Sequence, residues 1–285
     1  MIESFFHYQF LQNAAITGML IGIVAPLLGV FIVVRRLSLI ADALSHITLT
    51  GIAASLLLEK KVPSINDWNP VYMGMVFSVA GAVLIERLRK VYKHYEELAI
   101  PIILSGGIGL GVILISLADG FNTDLFSYLF GSVTAVSRTN MWTVLVVTIL
   151  VALIVLLFYK ELFVLSFDEE HASISGVNGR FIHLLFIVMV AIVIAASMQV
   201  VGILLVSALM TLPVASSLRL AHSFKQTIGL SIVFGETSVI LGLISSYYLS
   251  VPPGGTIVMT AILILVFSMI YKKVKAQQWT KGEIV

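Results

Sequence analysis

Long apolar runs divide this sequence, and short charged or proline- and glycine-containing breaks separate them. The hydrocarbon core of a bilayer is about 30 Å thick, so a helix needs roughly 17 to 25 mainly apolar residues to cross it. This length predicts nine spans, at residues 10–34, 38–58, 71–85, 100–117, 141–158, 181–197, 202–218, 227–249 and 256–271. We therefore predict an all-α, polytopic transmembrane helical bundle of eight or nine spans, folded as a single domain over residues 1–285.

Composition excludes a soluble protein. Hydrophobic residues make up 59% of the chain and charged residues 11%, whereas soluble proteins carry about 25% charged residues. The net charge of +2 is too small to indicate a nucleic-acid-binding protein. Cysteine is absent, which excludes disulfides and thiolate ligands. Any metal site must therefore use His, Asp, Glu, Asn or backbone oxygen.

Basic residues are distributed unevenly between the two sides of the predicted bundle. Only Lys60, Lys61 and Arg138 fall on one side. The other fourteen basic residues fall on the opposite side: Arg35, Arg36, Arg87, Arg89, Lys90, Lys93, Lys160, Arg180, Arg219, Lys225, Lys272, Lys273, Lys275 and Lys281. Because Lys and Arg concentrate in cytoplasmic loops, we expect the N-terminus outside the cell and the C-terminus in the cytoplasm.

Small residues recur at four-residue spacing in the first span, where Gly18 and Gly22 are followed by Ala25 and Gly29. Such residues let neighbouring transmembrane backbones approach closely, so we expect helix packing here. The run SGGIGLG at 105–111 lies in an apolar span and lacks the lysine of a GxxxxGK[ST] phosphate loop. No such motif occurs elsewhere in the chain, so ATP that drives this protein would have to bind another subunit.

Asp42 and His46 stand four residues apart in the second predicted span, and hence on one face of a helix. An ionisable residue inside a membrane helix is costly and usually marks a pathway or a proton relay. The pair could bind one metal ion through oxygen and nitrogen, or it could be hydrogen-bonded internally to fix helix packing. A zinc site needs four ligands, so a second helix or a second copy of the chain would have to complete the site.

Glu236 is the other acidic residue within a predicted span, close to mid-depth. It could be a metal ligand, a group that balances charge, a proton carrier, or a neutral packing residue. The sequence around it does not choose among these roles.

Two segments between spans also carry information. Residues 124–137 are too short to cross a bilayer, and we expect a re-entrant or interfacial helix on the outer side. Residues 166–181 fall on the cytoplasmic side, where an acidic start, small residues and two glycines suit a short helix flanked by turns. From its residues alone, this segment is an amphipathic connector.

The chain resembles the membrane permease subunits of zinc and manganese ABC importers, of the ZnuB and MntB type. Five segments carry the resemblance: RRLSLIADALSHITLTGIA at 35–53, LFGSVTAVS at 129–137, FDEEHASISGVNGR at 167–180, QVVGILLVSALMTLPVASSLRLA at 199–221 and SSYYLSVPPGGTIV at 245–258. The resemblance implies a type II ABC importer permease fold in a bacterial cell membrane. It also implies a homodimer, two cytoplasmic ABC ATPase subunits and an extracytoplasmic metal-binding protein that delivers the ion.

By this resemblance, Asp42 and His46 match the helix that lines the metal path. Glu170, Ala172 and Gly176 fit the E-x-A-x-x-x-G pattern of segments that couple a permease to its ATPase, and 124–137 would be a gating helix.

The first expectation for the transported ion is zinc, with manganese or iron as alternatives and no permanently bound cofactor. Two rivals remain. One is a proton-coupled secondary transporter that uses Asp42 and Glu236, for which inverted repeats are not seen. The other is an intramembrane metalloprotease, whose HExxH motif is absent.

Overall fold

The computed structural model describes residues 8–61, 69–118, 120, 123–168, 172 and 174–282. Within these residues the chain forms eleven α-helices, a 3-10 helix at Glu96–Leu98 and no β-strand. The α-helices are α1 Gln9–Val34, α2 Ser38–Lys61, α3 Pro70–Val91, α4 Ala99–Leu117, α5 Thr123–Phe130, α6 Arg138–Leu157, α7 Tyr159–Phe167, α8 Gly179–Val201, α9 Ile203–Leu220, α10 Phe224–Leu249 and α11 Pro253–Gly282. The all-α prediction is confirmed.

Eight helices of the described chain are long and apolar enough to cross a membrane, and each coincides with a predicted span. The ninth predicted span corresponds to α9, whose apolar part, Leu205–Leu220, is shorter. Several helices extend beyond the ends of their predicted spans. Helix α3, for example, continues through Glu86 and Arg89 to Val91. The apolar run marks only the part of a helix that lies in lipid, while backbone hydrogen bonding continues into the aqueous interface.

The centre of the bundle is formed by α1, α2 and α8, in which 67 to 72% of the apolar stretch is buried. Phe31 of α1 and Phe186 of α8 meet edge to face there, with ring centroids 6.1 Å apart. By contrast, only 28% of α4 and 22% of α11 is buried. Their outer faces carry exposed apolar side chains, as expected of helices in contact with lipid.

The four-residue spacing of small residues in α1 serves helix packing, as predicted. A Cβ built on Gly29 would lie 1.9 Å from the carbonyl oxygen of Met210 in α9. One built on Gly18 would lie 3.0 Å from the side chain of Val239 in α10. The glycines therefore bring α9 and α10 against α1 at backbone distance.

Successive spans alternate in direction, so their ends collect at two faces of the bundle. We call one face the basic end; it holds Arg35, Arg89 and His183. The opposite end holds Asn140 and Gln199, whose side chains are hydrogen-bonded to each other. This partition agrees with the charge pattern, while the assignment of the basic end to the cytoplasm stays a prediction.

The segment predicted as a helix at 124–137 is helical only over α5, Thr123–Phe130. Residues 131–137 are turns instead, because Gly131 adopts a φ of +79° and packs onto the junction of α8 and α9. A Cβ on Gly131 would lie 2.2 Å from the carbonyl oxygen of Val200. This tertiary contact ends the helix, and apolar patterning contains no signal for it.

Candidate metal path and partner-docking segment

Asp42 and His46 lie in the first turns of α2, on a face that the rest of the chain leaves partly uncovered. Both side chains are half-buried, while Ala43 and Leu44 between them are fully buried. The Asp42 carboxylate is close enough to His46 to interact with it electrostatically. The two potential ligands therefore share one partly exposed strip of α2.

The turn of α2 that follows His46 is held closely by α4. The Thr50 hydroxyl donates a hydrogen bond to the carbonyl oxygen of Gly107 at 2.7 Å. A Cβ on Gly107 would lie 3.0 Å from the Ile47 side chain, and one on Gly111 would lie 3.0 Å from the Thr50 hydroxyl. The glycine-rich run at 105–111 is thus a packing surface. Asp42 and His46 lie on the turns of α2 that precede this contact.

The positions of Asp42 and His46 along the axis of α2 follow from the rise of an α-helix. Because α2 begins at Ser38 and rises about 1.5 Å per residue, Asp42 lies about 6 Å and His46 about 12 Å along its axis. Asp42 is therefore nearer to the basic end, and His46 is nearer to the middle of this 24-residue helix.

One chain offers too few ligands at this place. Among the residues that the structure describes, no group of three or more His, Cys, Asp and Glu side chains could hold a metal ion. Asp42 and His46 supply at most one carboxylate and one imidazole. A complete coordination shell therefore requires ligands from outside the described residues or from solvent.

Glu236 lies elsewhere, in the contact between α10 and α1. Its Oε1 atom is buried without a hydrogen-bond partner, 2.8 Å from the position that a Cβ on Gly22 would take. Gly22 thus makes room for this carboxyl group. The structure does not gather Glu236 with other acidic or histidine side chains into a metal-holding group within the described chain.

A cluster of charged side chains occupies the basic end. The Arg35 and Arg89 guanidinium groups contact the two ring nitrogens of His183, Nδ1 and Nε2 respectively. Glu86 Oε2 lies 3.3 Å from His183 Nε2, and Arg89 donates to Glu96 Oε2 at 2.6 Å. Beside these groups opens a cavity of about 630 Å³. The members of this cluster come from helices far apart in the chain, so no spacing pattern in the sequence predicts it.

The predicted partner-docking segment, residues 166–181, is described in part. Glu170 lies outside the described residues. Ala172 is fully buried in the core of the bundle, and Gly176 adopts a φ of +81° with open space around its Cα atom. Ile174, between them, is 84% exposed. The segment is therefore anchored by Ala172 and presents Ile174, a residue that the sequence motif did not identify.

Helix α7 leads into this segment and packs through aromatic side chains. The rings of Tyr159, Phe163 and Phe167 surround Phe224, the first residue of α10, at centroid distances of 6.4, 5.0 and 5.8 Å. Phe224 in turn contacts Phe31 of α1 at 5.4 Å. The docking segment is thereby joined to two membrane helices.

Amide side chains connect the helices at the opposite end. Asn140 of α6 is hydrogen-bonded to Asn69 and to Gln199, and Gln199 donates to the Tyr128 hydroxyl of α5 at 3.1 Å. The Ser132 backbone N–H donates to the Gln199 carbonyl oxygen at 2.9 Å. These hydrogen bonds connect α5 and the following turns to α8, so a movement of α8 would displace α5 as well.

A family profile, described as the ABC 3 transport family, matches residues 7–272. The chain belongs to this family. Among its relatives is the manganese transport system membrane protein MntC of Listeria innocua, 35% identical over 270 residues that cover 95% of this chain and 93% of that protein. Another is the manganese import system permease protein ScaB of Streptococcus gordonii, 37% identical over 268 residues that cover 94% and 93%.

A solved structure supports the fold. PsaBC from Streptococcus pneumoniae, determined in complex with Fab, superposes with a TM-score of 0.81 at 36% identity and covers 94% of this chain and 93% of that one. The resemblance to metal ABC permeases and the multi-pass membrane fold are therefore confirmed. Zinc, the first expectation for the ion, finds no support, because both named relatives are described by manganese.

Proposed function

We propose that this chain is the permease subunit of an ABC importer that carries manganese across a bacterial cell membrane. The observation that carries the proposal is the Asp42 and His46 pair on one partly exposed face of α2. Family membership and the names of the manganese transport relatives support the substrate class. Carboxylate oxygen suits Mn²⁺, while imidazole also serves zinc and iron, so the ion assignment depends on the relatives more than on the donors.

In this mechanism two copies of the chain hold the ion between them. Each copy supplies Asp42 and His46, so a two-fold axis brings together two carboxylates and two imidazoles. Water completes the octahedral shell that Mn²⁺ prefers. Separation of the two α2 helices removes half of the protein ligands, and the ion is released because the remaining pair binds it weakly.

ATP hydrolysis occurs on a separate subunit, because this chain lacks a phosphate-loop lysine motif. That ATPase docks at residues 166–181, where Ile174 is exposed and Ala172 anchors the segment. An extracytoplasmic metal-binding protein delivers the ion at the opposite end. The permease holds no permanent cofactor; Mn²⁺ is its cargo.

Manganese uptake by cells that carry Asp42→Ala or His46→Ala tests the site. We expect each change to reduce the rate of uptake at least tenfold at unchanged abundance in the membrane, since each removes two of the four shared donors. His222→Ala is the matched control, because His222 is exposed at the basic end and outside α2.

Normal uptake by both α2 variants would exclude the pair from the path. The identity of the transported ion is tested by measuring zinc uptake in the same cells. Faster uptake of zinc than of manganese would contradict the assignment of manganese. Uptake that persists without any ATPase subunit would instead favour the secondary transporter.

The orientation is tested by thiol labelling, which the absence of cysteine makes unambiguous. A membrane-impermeant maleimide added to intact cells should label the Lys61→Cys variant and leave the Ile174→Cys variant unlabelled until the cells are opened. Both positions are exposed. The reverse pattern would place the basic end outside the cell.

A further inference from the structure

Four charged or titratable side chains form what we call the His183 cluster: Arg35, Glu86, Arg89 and His183. They lie at the junction of α1 with α2, near the end of α3 and in the first turns of α8. Relative side-chain exposure is only 7% for His183, 12% for Glu86 and 18% for Arg89. Buried ion pairs contribute little net stability compared with apolar packing of similar volume, so stability alone does not account for this cluster.

The chemistry of imidazole makes His183 the central member. A neutral imidazole accepts a hydrogen bond at one ring nitrogen and donates at the other. The two ring nitrogens of His183 meet two guanidinium donors, Arg35 at Nδ1 and Arg89 at Nε2, so one of them accepts a hydrogen bond, and Glu86 Oε2 lies 3.3 Å from Nε2. These contacts join the first turn of α8 to α3 and to the start of α2.

The link from Arg35 to the metal helix is short and rigid. Arg35 caps α1, and α2 begins at Ser38. The Leu37 N–H donates to the Ile32 carbonyl oxygen at 2.9 Å and the Arg36 N–H donates to that of Val33 at 3.0 Å, with Arg36 at a φ of 57°. This pair of bonds is a Schellman motif. A displacement of Arg35 therefore carries the first turn of α2, which leads directly to Asp42.

The link from His183 to the docking segment is equally direct. Helix α8 begins at Gly179, where the Asn178 side chain accepts a hydrogen bond from the Phe181 N–H at 3.2 Å. Gly176, the last residue of the docking motif, precedes it by one short turn. The cavity of about 630 Å³ beside the cluster is lined by Val177 and Gly179 of this connection, so it leaves space for the connection to move.

We infer that His183 is a positioning residue that couples the ATPase-docking segment to the metal helix α2. Displacement of residues 166–178 by the ATPase moves the start of α8, and the His183 cluster transmits that movement through Arg35 to Asp42 and His46. The inference rests on the proposed function, because it assumes that an ATPase docks at this segment and that the ion binds on α2.

The test uses the cysteine-free chain reconstituted with its ATPase in lipid nanodiscs. Leu39→Cys places a thiol on the first turn of α2, where Leu39 is 57% exposed. Ile174→Cys places one in the docking segment. The alkylation rate of each thiol is measured with and without ATP and vanadate, which trap the ATPase in its closed state, in wild-type, His183→Leu, His183→Gln and His222→Leu backgrounds.

We expect nucleotide trapping to change the alkylation rate of the Leu39→Cys thiol at least threefold in the wild-type and His222→Leu backgrounds. His183→Leu should abolish this change while the ATPase still protects the Ile174→Cys thiol. His183→Gln should restore part of the change, because an amide both accepts and donates hydrogen bonds. Labelling reports only on inserted, assembled protein, so reduced abundance does not obscure the result.

Three results would overturn the inference. The Leu39→Cys thiol could be insensitive to nucleotide in the wild-type background, the response could persist in His183→Leu, or His183→Leu could also lose protection of the Ile174→Cys thiol. The last result would mean that His183 maintains the docking structure and transmits nothing. A wrong metal-site assignment gives a different pair of results. Uptake by the Asp42→Ala variant would then be normal, while ATP and vanadate would still change the alkylation rate of the Leu39→Cys thiol.

Discussion

The contact between α1 and α9 depends on a single missing side chain. Gly29 lets the α9 backbone approach so closely that a Cβ would overlap the Met210 carbonyl oxygen at 1.9 Å. Backbone atoms cannot move aside as a flexible side chain can, so relief of this overlap requires the two helices to separate. Gly106 of α4, in contrast, has no atom within 4 Å of the position that a Cβ would take.

These two glycines predict opposite responses to the same substitution. Gly29→Ala should destabilise the solubilised protein by about 1 to 3 kcal/mol or more, the range expected for overpacking of a close contact. Gly106→Ala should be neutral or slightly stabilising, because alanine favours the helix. The stability of both variants is measured by heating the solubilised protein and recording how much of the monodisperse chromatographic peak is lost. Equal stability of the two variants would contradict the close contact between α1 and α9.

At the scale of elements, the docking segment combines an anchor with an exposed side chain. Ala172 is buried in the bundle and its N–H donates to the Asp168 carbonyl oxygen at 3.1 Å, while Ile174 extends outward. An apolar side chain this exposed at the basic end is suited to a protein partner. The aromatic rings around Phe224 attach the helix before it, α7, to α1 and α10.

Ile174→Asp should weaken association with the ATPase at least tenfold, because a carboxylate would be desolvated in an apolar contact. Val91→Asp is the matched control, since Val91 is also an exposed apolar side chain near the basic end but lies outside the docking segment. Co-purification with the ATPase measures both variants. Equal retention of the ATPase by both would mean that Ile174 is not part of the docking surface.

At the scale of the whole molecule, the incomplete set of metal ligands on α2 predicts that two copies of the chain assemble. The described part of the chain gathers no group of three metal-binding side chains, and the pair on α2 is only half-buried. In the proposed function, a second copy supplies an identical pair without any further element of the fold. The ligands of this proposed site are shared, so opening the interface would divide the site and release the ion.

Metal stoichiometry tests this arrangement. The purified permease should bind one Mn²⁺ per two chains, and mixed dimers of wild-type and Asp42→Ala chains should bind it at least tenfold more weakly, since one of the two carboxylates is lost. Elemental analysis after gel filtration measures the ratio. One tightly bound ion per chain, with full affinity in mixed dimers, would contradict a shared site.

Much of this architecture could be predicted from the sequence because the bilayer imposes a simple length rule on apolar helices. Eight spans, the break between α8 and α9 near Gly202 and the packing role of the glycines in α1 were all predictable in this way. The end of α5 at Phe130 was not, because it depends on the contact of Gly131 with Val200 in a distant helix.

Composition and spacing along the chain are enough to predict a membrane bundle, the concentration of basic residues at one end and the pairing of Asp42 with His46, since each depends on composition or on spacing within one helix. The packing of the helices was needed to show that Asp42 and His46 are half-buried, that Ile174 is exposed while Ala172 is buried, and that His183 meets Arg35 and Arg89. The two contacts of His183 join residues 148 and 94 positions apart, and hydropathy along the chain does not report which helices will be neighbours.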